Sequence, residues 1–396
     1  MNGPSKNASC IDDICPRYEL NPPRGTIPAA PPIYLASVYQ CESIEQADTI
    51  LGGKAPGYVY QRDGQPNADY LAERCRKLHA ATHAAVTSTG MSALSLAFLA
   101  TLKPGDHVVY SNFLYGKTVT LLKGQFQTWG VTSTAVDITD LASVRAAMTN
   151  QTKLLLAETI ANPLLQVADL SGLAEVASTS GAKLLIDNTF ATPLLCRPHE
   201  FGADLVMESL TKMMSGHADV ILGLLTSRHA ADDGLNRLSS TWGMTPGAFD
   251  CWLADRGLVS MHLRVDRACQ NAKAAAELLS NHPGVAKVYY PGLTSHAQHH
   301  LARNQFGARF GSMVAFDLAG GLAAASKFIT NASRIPFCPS LGDATTTLSH
   351  PVSTSHRSFT PAQLTELGIT QGTIRLSVGV ESPEFVKEIL AEGLRD

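Results

Sequence analysis

The sequence predicts an α/β protein with a large domain on a mostly parallel β-sheet and a smaller α+β domain after it. Between about residues 56 and 230, short apolar segments alternate with helix-forming segments, and polar residues directly follow the apolar segments. Strands buried on both faces read as continuous apolar runs, which is typical of parallel sheets. From about residue 246 the pattern changes. We therefore predict an N-terminal arm at 1–55, a large domain at 56–245 and a C-terminal domain at 246–396.

The first 55 residues are rich in proline, glycine and serine and contain few periodic segments. Proline disfavours a packed helix, so an extended arm is predicted. Such an arm either wraps a neighbouring subunit or is mobile, and we favour the interpretation that it wraps a neighbouring subunit. Its prolines include Pro22, Pro23, Pro28, Pro31 and Pro32.

The large domain is predicted to contain a helix that ends near Leu102 and a second helix at Leu170–Ser180, with Asp169 placed to cap the latter. In parallel sheets ligands bind beyond the carboxyl ends of the strands. Polar residues at those positions are therefore the candidates for a functional site. The predicted strands are 84–86, 107–110, 153–157, 183–186 and 204–207.

The C-terminal domain is predicted to begin with a helix at Asp266–Leu279. Its last helix starts at Ser382, because serine is a common cap and Pro383 suits the first helical position. The alternation of helix and strand is looser here, which favours an α+β arrangement. The predicted strands are 286–290, 312–317 and 373–378.

Composition excludes several classes of protein. The chain has 396 residues, 45% of them hydrophobic, and a net charge of −3. This size supports a large core in two or three domains, and the absence of a basic run argues against nucleic-acid binding. The apolar run 93–100 is shorter than the roughly 20 residues that span a bilayer. Eight scattered cysteines and an N-terminus without an apolar signal segment predict reduced thiols, no metal site and a cytoplasmic location.

The segment Glu208–His217 places Lys212 just beyond a predicted strand, with the hydroxyls of Ser209 and Thr211 nearby. A lysine amine can condense with an aldehyde, and hydroxyl groups can hold a phosphate. Pyridoxal phosphate (PLP) requires this combination. The alternative is a solvated surface cation.

Two further segments fit the same cofactor. Asp187 ends a predicted strand, where a carboxylate can face the pyridine nitrogen; opposite charges about 4 Å apart interact by roughly 4 kcal/mol at an effective dielectric near 20. Gly90 and Met91 begin a predicted helix, so their N–H groups can bind an anion. The alternatives are a helix cap or surface turn for Asp187 and an ordinary tight turn for Gly90 and Met91.

Three side chains complete the candidate set. The ring of Tyr115 can stack on a planar cofactor, or else it belongs to the core or its rim. The amide of Asn162 can bind the cofactor's ring hydroxyl, or it only shapes a turn before proline. Arg375 lies within an apolar strand and needs a partner, either a substrate carboxylate or an internal acidic residue. No catalytic step is assigned to His217.

Together these segments resemble the PLP-dependent enzymes of cysteine and methionine metabolism, from about Gly57 to the C-terminus. That family includes cystathionine γ-synthase, cystathionine γ- and β-lyases, methionine γ-lyase and O-acetylhomoserine sulfhydrylase. The motifs occur in the family's order and spacing. They are Tyr60–Arg62, Ser88–Met91, Tyr115–Thr118, Glu158–Pro163, Asp187–Thr189, Ser209–Asp219, Ser340–Asp343 and Arg375–Gly379.

The resemblance implies a fold-type-I, aminotransferase-like architecture and a homotetramer built from two tight dimers. It implies that Lys212 binds PLP covalently and that Asp187 faces the pyridine nitrogen. Tyr115 would stack on the ring and protonate the leaving sulfur, and Asn162 would contact the ring hydroxyl. The phosphate contacts implied are Gly90, Met91, Ser209 and Thr211, with Tyr60 and Arg62 from the neighbouring subunit; Ser340 and Arg375 would bind the substrate carboxylate.

Four features depart from the family pattern. Glu208 replaces the usual histidine, and we expect its carboxylate to point away from the phosphate. The motif after Arg62 reads Gln65–Asn67 instead of Asn-Pro-Thr. Lys117 replaces the cysteine of methionine γ-lyases, and Pro339 replaces the glutamate of the cystathionine γ-enzymes.

The run from Ser340 to Ala344 is most similar to the methionine γ-lyases. The predicted function is therefore γ-elimination of cystathionine or methionine, an amino-acid substrate, to 2-oxobutanoate, ammonia and a thiol. The alternatives are a cystathionine γ-synthase or O-acylhomoserine sulfhydrylase, a cystathionine β-lyase, and a non-catalytic protein on the same scaffold.

Overall fold

The computed structural model describes residues 10–15, 26–229, 234–357 and 359–395. Pro22 and Pro23 of the predicted arm lie outside these ranges. The described part of the arm contains two short helices and residues without regular structure, and many of its apolar side chains are exposed, among them Ile33 and Leu35. The arm and the domain boundaries at 55 and 245 stay predictions.

The large sheet has seven strands in the order β1-β7-β6-β5-β4-β2-β3. Only β7 runs antiparallel to its neighbours in this sheet, so the predicted mostly parallel sheet is confirmed. The strands are β1 His83–Thr87, β2 His107–Ser111, β3 Thr132–Val136, β4 Thr152–Glu158, β5 Lys183–Asp187, β6 Leu205–Glu208 and β7 Gly223–Ser227.

Helices cover both faces of this sheet. On one face α4 packs against β6 and β7; on the other, α3, α7 and α10 enclose the larger apolar core. Two buried faces explain why the central strands are continuously apolar. The helices are α1 Ile11–Ile14, α2 Ile44–Leu51, α3 Pro66–Leu78, α4 Gly90–Thr101, α5 Gly116–Leu121, α6 Leu141–Ala147, α7 Leu170–Thr179, α8 Thr192–Leu195, α9 Leu235–Thr241 and α10 Ala248–Leu258; a π-helical turn follows α5 at Leu122–Phe126.

Side-chain caps set where two of these helices begin. Asp169 accepts a hydrogen bond from Gly172 N at 3.0 Å, which confirms the predicted start of α7. Thr89 accepts one from Ser92 N at 2.9 Å and so starts α4 directly after β1. Capping therefore leaves the first N–H groups of α4 at the sheet edge where ligands bind.

A second, four-stranded antiparallel sheet has the order β10-β11-β9-β8 and forms the predicted smaller α+β unit. Its last helix starts as predicted, with Ser382 accepting from Phe385 N. The elements are α11 Met261–Ser280, β8 Val285–Tyr289, α12 His299–Phe306, β9 Met313–Leu318, α13 Gly321–Asn331, β10 Thr347–Ser349, α14 Pro361–Glu366, β11 Thr373–Ser377 and α15 Pro383–Gly393.

Helix α11 joins the two units and is longer than predicted. Its first half, including Met261 and Val265, packs into the core of the large sheet. Its second half, including Ala272 and Leu279, packs on the small sheet. One helix that serves two cores holds the two sheets in a defined relation to each other.

Three general properties of the chain follow from the structure. All eight cysteines are free. Within the described residues, no helix is long and apolar enough to cross a membrane. No group of three or more His, Cys, Asp or Glu residues is placed to hold a metal ion in that part of the chain.

Candidate active site

A cavity of about 340 Å³ opens at the carboxyl ends of β4, β5 and β6. This volume is within the range of small-molecule sites. It lies where the sequence predicted a ligand, because the chain leaves each of these parallel strands at the same edge of the sheet. Predicted residues that line it are Gly90, Met91, Tyr115, Asn162, Asp187, Ser209, Thr211, Lys212 and Arg375.

Lys212 lies in the turn that follows β6. Its Nζ donates to Ser340 Oγ at 3.3 Å, so Ser340 contacts the lysine although it does not itself line the cavity. Burial lowers the pKa of Lys212, and the charge of Arg375 lowers it further, whereas Asp343 opposes the shift. A larger fraction of the amine is therefore neutral and nucleophilic at neutral pH than for an exposed lysine.

Asp187 ends β5 and faces the cavity. Its Oδ1 accepts from the backbone N–H of Thr189 at 2.9 Å and from the Thr189 hydroxyl. Thr189 Oγ1 in turn accepts from Ser209 N at 3.0 Å, so the threonine ties the carboxylate to the start of the lysine turn. Burial raises the pKa of Asp187. The described residues provide no cation for it, so this carboxylate suits a ligand that brings a protonated nitrogen.

The start of α4 can bind an anion. The N–H groups of Gly90 and Met91 have no acceptor among the residues described, as expected for the first turn of a helix. A Cβ at position 90 would lie 3.0 Å from the Cβ of Ser209. Glycine thus keeps a narrow space open between the helix start and the lysine turn, where a phosphate can approach both backbones.

Glu158 lines the cavity, and no role for it was predicted from the sequence. Its Oε1 accepts from Tyr115 N at 2.6 Å and its Oε2 from Asn162 N at 3.2 Å, so one carboxyl positions both ring-contact candidates. Burial raises the pKa of Glu158 well above its usual value, and the charge of Asp187 raises it further. An acidic residue at the end of an apolar strand, as at Asp187, was the available indication.

Arg375 is buried in β11 and has no carboxylate partner within the described chain. Its Nη1 donates to Asn162 Oδ1 at 2.8 Å and its Nη2 to Ser340 O at 3.1 Å, while Nε has no partner there. Burial lowers its pKa to about 10, so it remains charged at neutral pH. The internal acidic partner that the sequence left open is therefore not found, and a buried cation in a cavity suits an anionic ligand.

Tyr60 and Arg62 do not line the cavity of this chain. Tyr60 is exposed, and the Arg62 guanidinium lies 5.3 Å from the centre of its ring. Their predicted contact with the phosphate of a neighbouring subunit stays a prediction. His217 is exposed and its Nδ1 bonds to Ser215 O, which is a local turn contact.

The side chain of Glu208 points away from the cavity, as expected, and is fully buried. Its Oε1 accepts from Asn188 Nδ2 at 2.9 Å and lies 3.3 Å from His79 Nε2. Burial raises the pKa of Glu208 well above its usual value and lowers the pKa of His79 to about 3. His79 is therefore neutral near neutral pH, and its buried site disfavours the ionised form of Glu208.

We expect Glu208→Gln to stabilise the protein at pH 8 by about 1–3 kcal/mol, because a buried carboxyl is costly to ionise. A raised folded-state pKa contributes stability that is fully present below the unfolded-state pKa and is lost as pH rises through the folded-state pKa. Glutamine does not titrate, so the gain in melting temperature should shrink toward pH 5. Melting curves from pH 5 to 8 measure this, with exposed Glu366→Gln as the control. A lower melting temperature of the Glu208 variant at pH 8 would contradict the prediction.

Comparison with known proteins gives consistent results. The sequence model of the Cys/Met metabolism PLP-dependent enzymes matches residues 18–395. The chain is 37% identical to an L-methionine gamma-lyase of Porphyromonas gingivalis over 92% of each chain. It is 37% identical to a cystathionine gamma-synthase of Mycobacterium tuberculosis over 96% of this chain and 94% of that one. The solved cystathionine gamma-synthase of Xanthomonas oryzae pv. oryzae in complex with cystathionine superimposes with a TM-score of 0.91 at 35% identity, covering 98% of both chains.

Proposed function

Because the chain belongs to the PLP-dependent enzymes of Cys/Met metabolism, we propose that it is a carbon–sulfur lyase that performs γ-elimination. In this reaction L-methionine and water yield 2-oxobutanoate, ammonia and methanethiol; with L-cystathionine the thiol released is cysteine. The observation that carries the proposal is the half-buried Lys212 amine, which shares one cavity with an Arg375 that has no acidic partner among the described residues.

The residues of the cavity fit PLP. The unpaired N–H groups of Gly90 and Met91, with Ser209 and Thr211, would hold the phosphate. Asp187 would pair with the pyridine nitrogen, which would supply the cation that this buried carboxylate lacks in the described chain.

The remaining contacts to PLP come from Tyr115, Asn162 and the second subunit. Tyr115 would stack on the ring, and the Asn162 amide would contact the ring hydroxyl. Tyr60 and Arg62 of a second copy would complete the phosphate site, within a homotetramer of two tight dimers. Their exposure in the single chain supports this assembly.

When bound, PLP supplies an electron-withdrawing ring that makes the substrate's Cα and Cβ protons more acidic. Lys212, with its lowered pKa, accepts the Cα proton and returns protons to the substrate skeleton. Arg375 binds the substrate carboxylate with the help of Ser340, which orients Cα toward the amine. The Tyr115 hydroxyl donates a proton to the departing sulfur.

The lining beyond Lys212 favours a substrate with a small, uncharged γ-substituent. Among the described lining residues, the acidic and basic ones are Glu158, Asp187, Lys212 and Arg375, all assigned above, and the apolar ones include Ile221, Pro339 and Leu341. The methyl sulfide of methionine matches these apolar side chains, whereas the distal amino and carboxylate groups of cystathionine would need charged or polar partners.

A substrate assay tests the proposal. The cofactor-loaded enzyme is incubated separately with L-methionine and with L-cystathionine, and the 2-oxo acid is identified. We expect 2-oxobutanoate from both and a higher kcat/KM for methionine. Pyruvate from cystathionine would overturn γ-elimination and indicate a β-lyase.

The second candidate is a γ-replacement enzyme, supported by the similarity over most of the chain to a cystathionine gamma-synthase. The discriminating substrate is an O-acylhomoserine, supplied with and without a thiol. A synthase would form a thioether only when the thiol is present and would release little 2-oxobutanoate without it. The proposed lyase would degrade methionine without any added thiol.

A further inference from the structure

The turn that carries Lys212 is held by a cation from outside the cavity, Arg264 on α11. We propose that Arg264 is a positioning residue that sets the direction of the Lys212 side chain through the backbone of the lysine turn, defined as residues 209–216. The inference rests on Lys212 being the lysine that binds PLP, as proposed above. Arg264 does not line the cavity, so it acts only through the turn.

The lysine turn is helix-like and satisfies part of its own backbone. Lys212 N donates to Ser209 O at 3.1 Å, and Gly216 N donates to Lys212 O at 2.8 Å. The carbonyls of Met213 and Met214 come next, where a helical turn that ends leaves its last oxygens without internal donors. These two residues are buried, so water is not available to replace a missing donor.

Arg264 supplies the missing donors. Its Nη1 donates to Met213 O at 2.9 Å and its Nη2 to Met214 O at 3.0 Å. Nη2 also donates to Gly257 O at 2.9 Å, and Nε donates to Ser260 Oγ at 3.1 Å. The planar guanidinium thus ties the two residues directly after Lys212 to α10 and to the start of α11.

The surrounding geometry is shaped for this side chain. Gly216 has a φ of +69°, and a Cβ there would lie 1.7 Å from Arg264 Nη1. Only glycine both adopts this backbone conformation readily and leaves space for the guanidinium. In the described chain, the acceptors of Arg264 are three backbone carbonyls and the Ser260 hydroxyl, with no carboxylate among them. Burial lowers its pKa to about 10, so it remains a cation at neutral pH.

Removal of the guanidinium would leave the carbonyls of Met213 and Met214 buried without donors, so the turn would relax toward other partners. The Lys212 Nζ, which now lies 3.3 Å from Ser340 Oγ, would shift with it. A displacement of about 1 Å at a reacting group can reduce the rate about 100-fold. The expected signature is a lower kcat with a nearly unchanged KM, because the residues that bind the substrate carboxylate stay in place.

The test compares Arg264→Met and Arg264→Lys with the parent holoenzyme. Arg267→Met is the matched control, since Arg267 is an exposed arginine on the same helix. The readouts are kcat, KM and the visible circular dichroism per bound PLP, which reports how the cofactor is held. We expect Arg264→Met to lose about 10- to 100-fold in kcat and to change the dichroism. Arg264→Lys, whose ammonium does not reproduce the guanidinium fork, should lie between it and the parent.

Melting temperatures separate positioning from a general loss of stability. A folded Arg264→Met that keeps the parent's kcat within two-fold and its dichroism would overturn the proposal. If that variant does not fold, the lysine variant decides by the same criteria. The dichroism requires no substrate, so an error in the proposed γ-elimination would appear in the product assay and leave this readout intact.

Discussion

Replacing Lys212 with alanine is expected to abolish turnover of every amino-acid substrate while the protein stays folded. The amine has two tasks in the proposed reaction: it binds PLP, and it transfers the protons at Cα. A positioned acid–base group alone contributes about 10²- to 10⁴-fold, so we expect a loss of at least about 10³-fold. The fold should persist because Lys212 makes its side-chain contact at the cavity, through Ser340 Oγ. Steady-state kinetics and the visible absorbance after gel filtration measure the two tasks separately.

Lys153→Ala is the control for this experiment. Lys153 is an exposed lysine near the amino end of β4, at the edge of the sheet opposite the cavity, so its removal should leave kcat and absorbance unchanged. Lys212→Arg keeps a cation but lacks a primary amine, so it should be as inactive as the alanine variant. Turnover by either Lys212 variant within ten-fold of the parent would refute the assignment of Lys212.

Replacing Arg375 with methionine is expected to raise KM strongly and to lower kcat/KM by about 100-fold or more. Loss of one partner from a buried, hydrogen-bonded charge pair costs about 2–5 kcal/mol, and each 1.4 kcal/mol is a factor of ten. The guanidinium also donates to Asn162 Oδ1 and Ser340 O. We therefore expect a smaller decrease in kcat as well, since Asn162 would no longer be held in place.

Two controls test whether the effect of the Arg375 substitution comes from lost binding of the substrate carboxylate. Arg357→Lys, at an exposed arginine between β10 and α14, should keep the parent's KM. An amine that lacks the carboxylate, such as 3-(methylthio)propylamine, should bind the parent and the Arg375 variant with similar, weak affinity when tested as an inhibitor. If the variant lost affinity for L-methionine but not for this amine, the assignment would stand; an unchanged KM for L-methionine would refute it.

The elements that were found from the sequence are those with local causes. Asp169 and Ser382 cap their helices through bonds to residues three positions ahead, so their roles are visible in a few letters. The central strands are apolar throughout because both faces are covered. Strand β3, Thr132–Val136, was missed because it is an edge strand with polar, largely exposed residues. Strand β7 was missed because its apolar pair, Leu224 and Leu225, is too short to be distinctive.

The side chains that the sequence could place near one another follow strand ends. Asp187 ends β5 and Lys212 lies in the turn after β6, the neighbouring parallel strand of the same sheet, so their proximity follows from topology. What Asp187 does there was open to the sequence, because a carboxylate after a strand also caps helices. Its lack of a cation in the described chain is visible only once every neighbouring element is packed against it.

The sequence by itself determined the family, the layered α/β plan and the positions of Lys212 and Asp187, because apolar periodicity, caps and motif spacing are properties of neighbouring residues. Tertiary structure decided which hydrogen bonds connect the residues of the site. Arg375 donates to Asn162 across 213 residues of sequence. Glu158 joins two loops, and Arg264 holds the turn behind Lys212. Such contacts depend on which elements pack together, and the free energy of a buried donor or acceptor is set by partners that no local pattern contains.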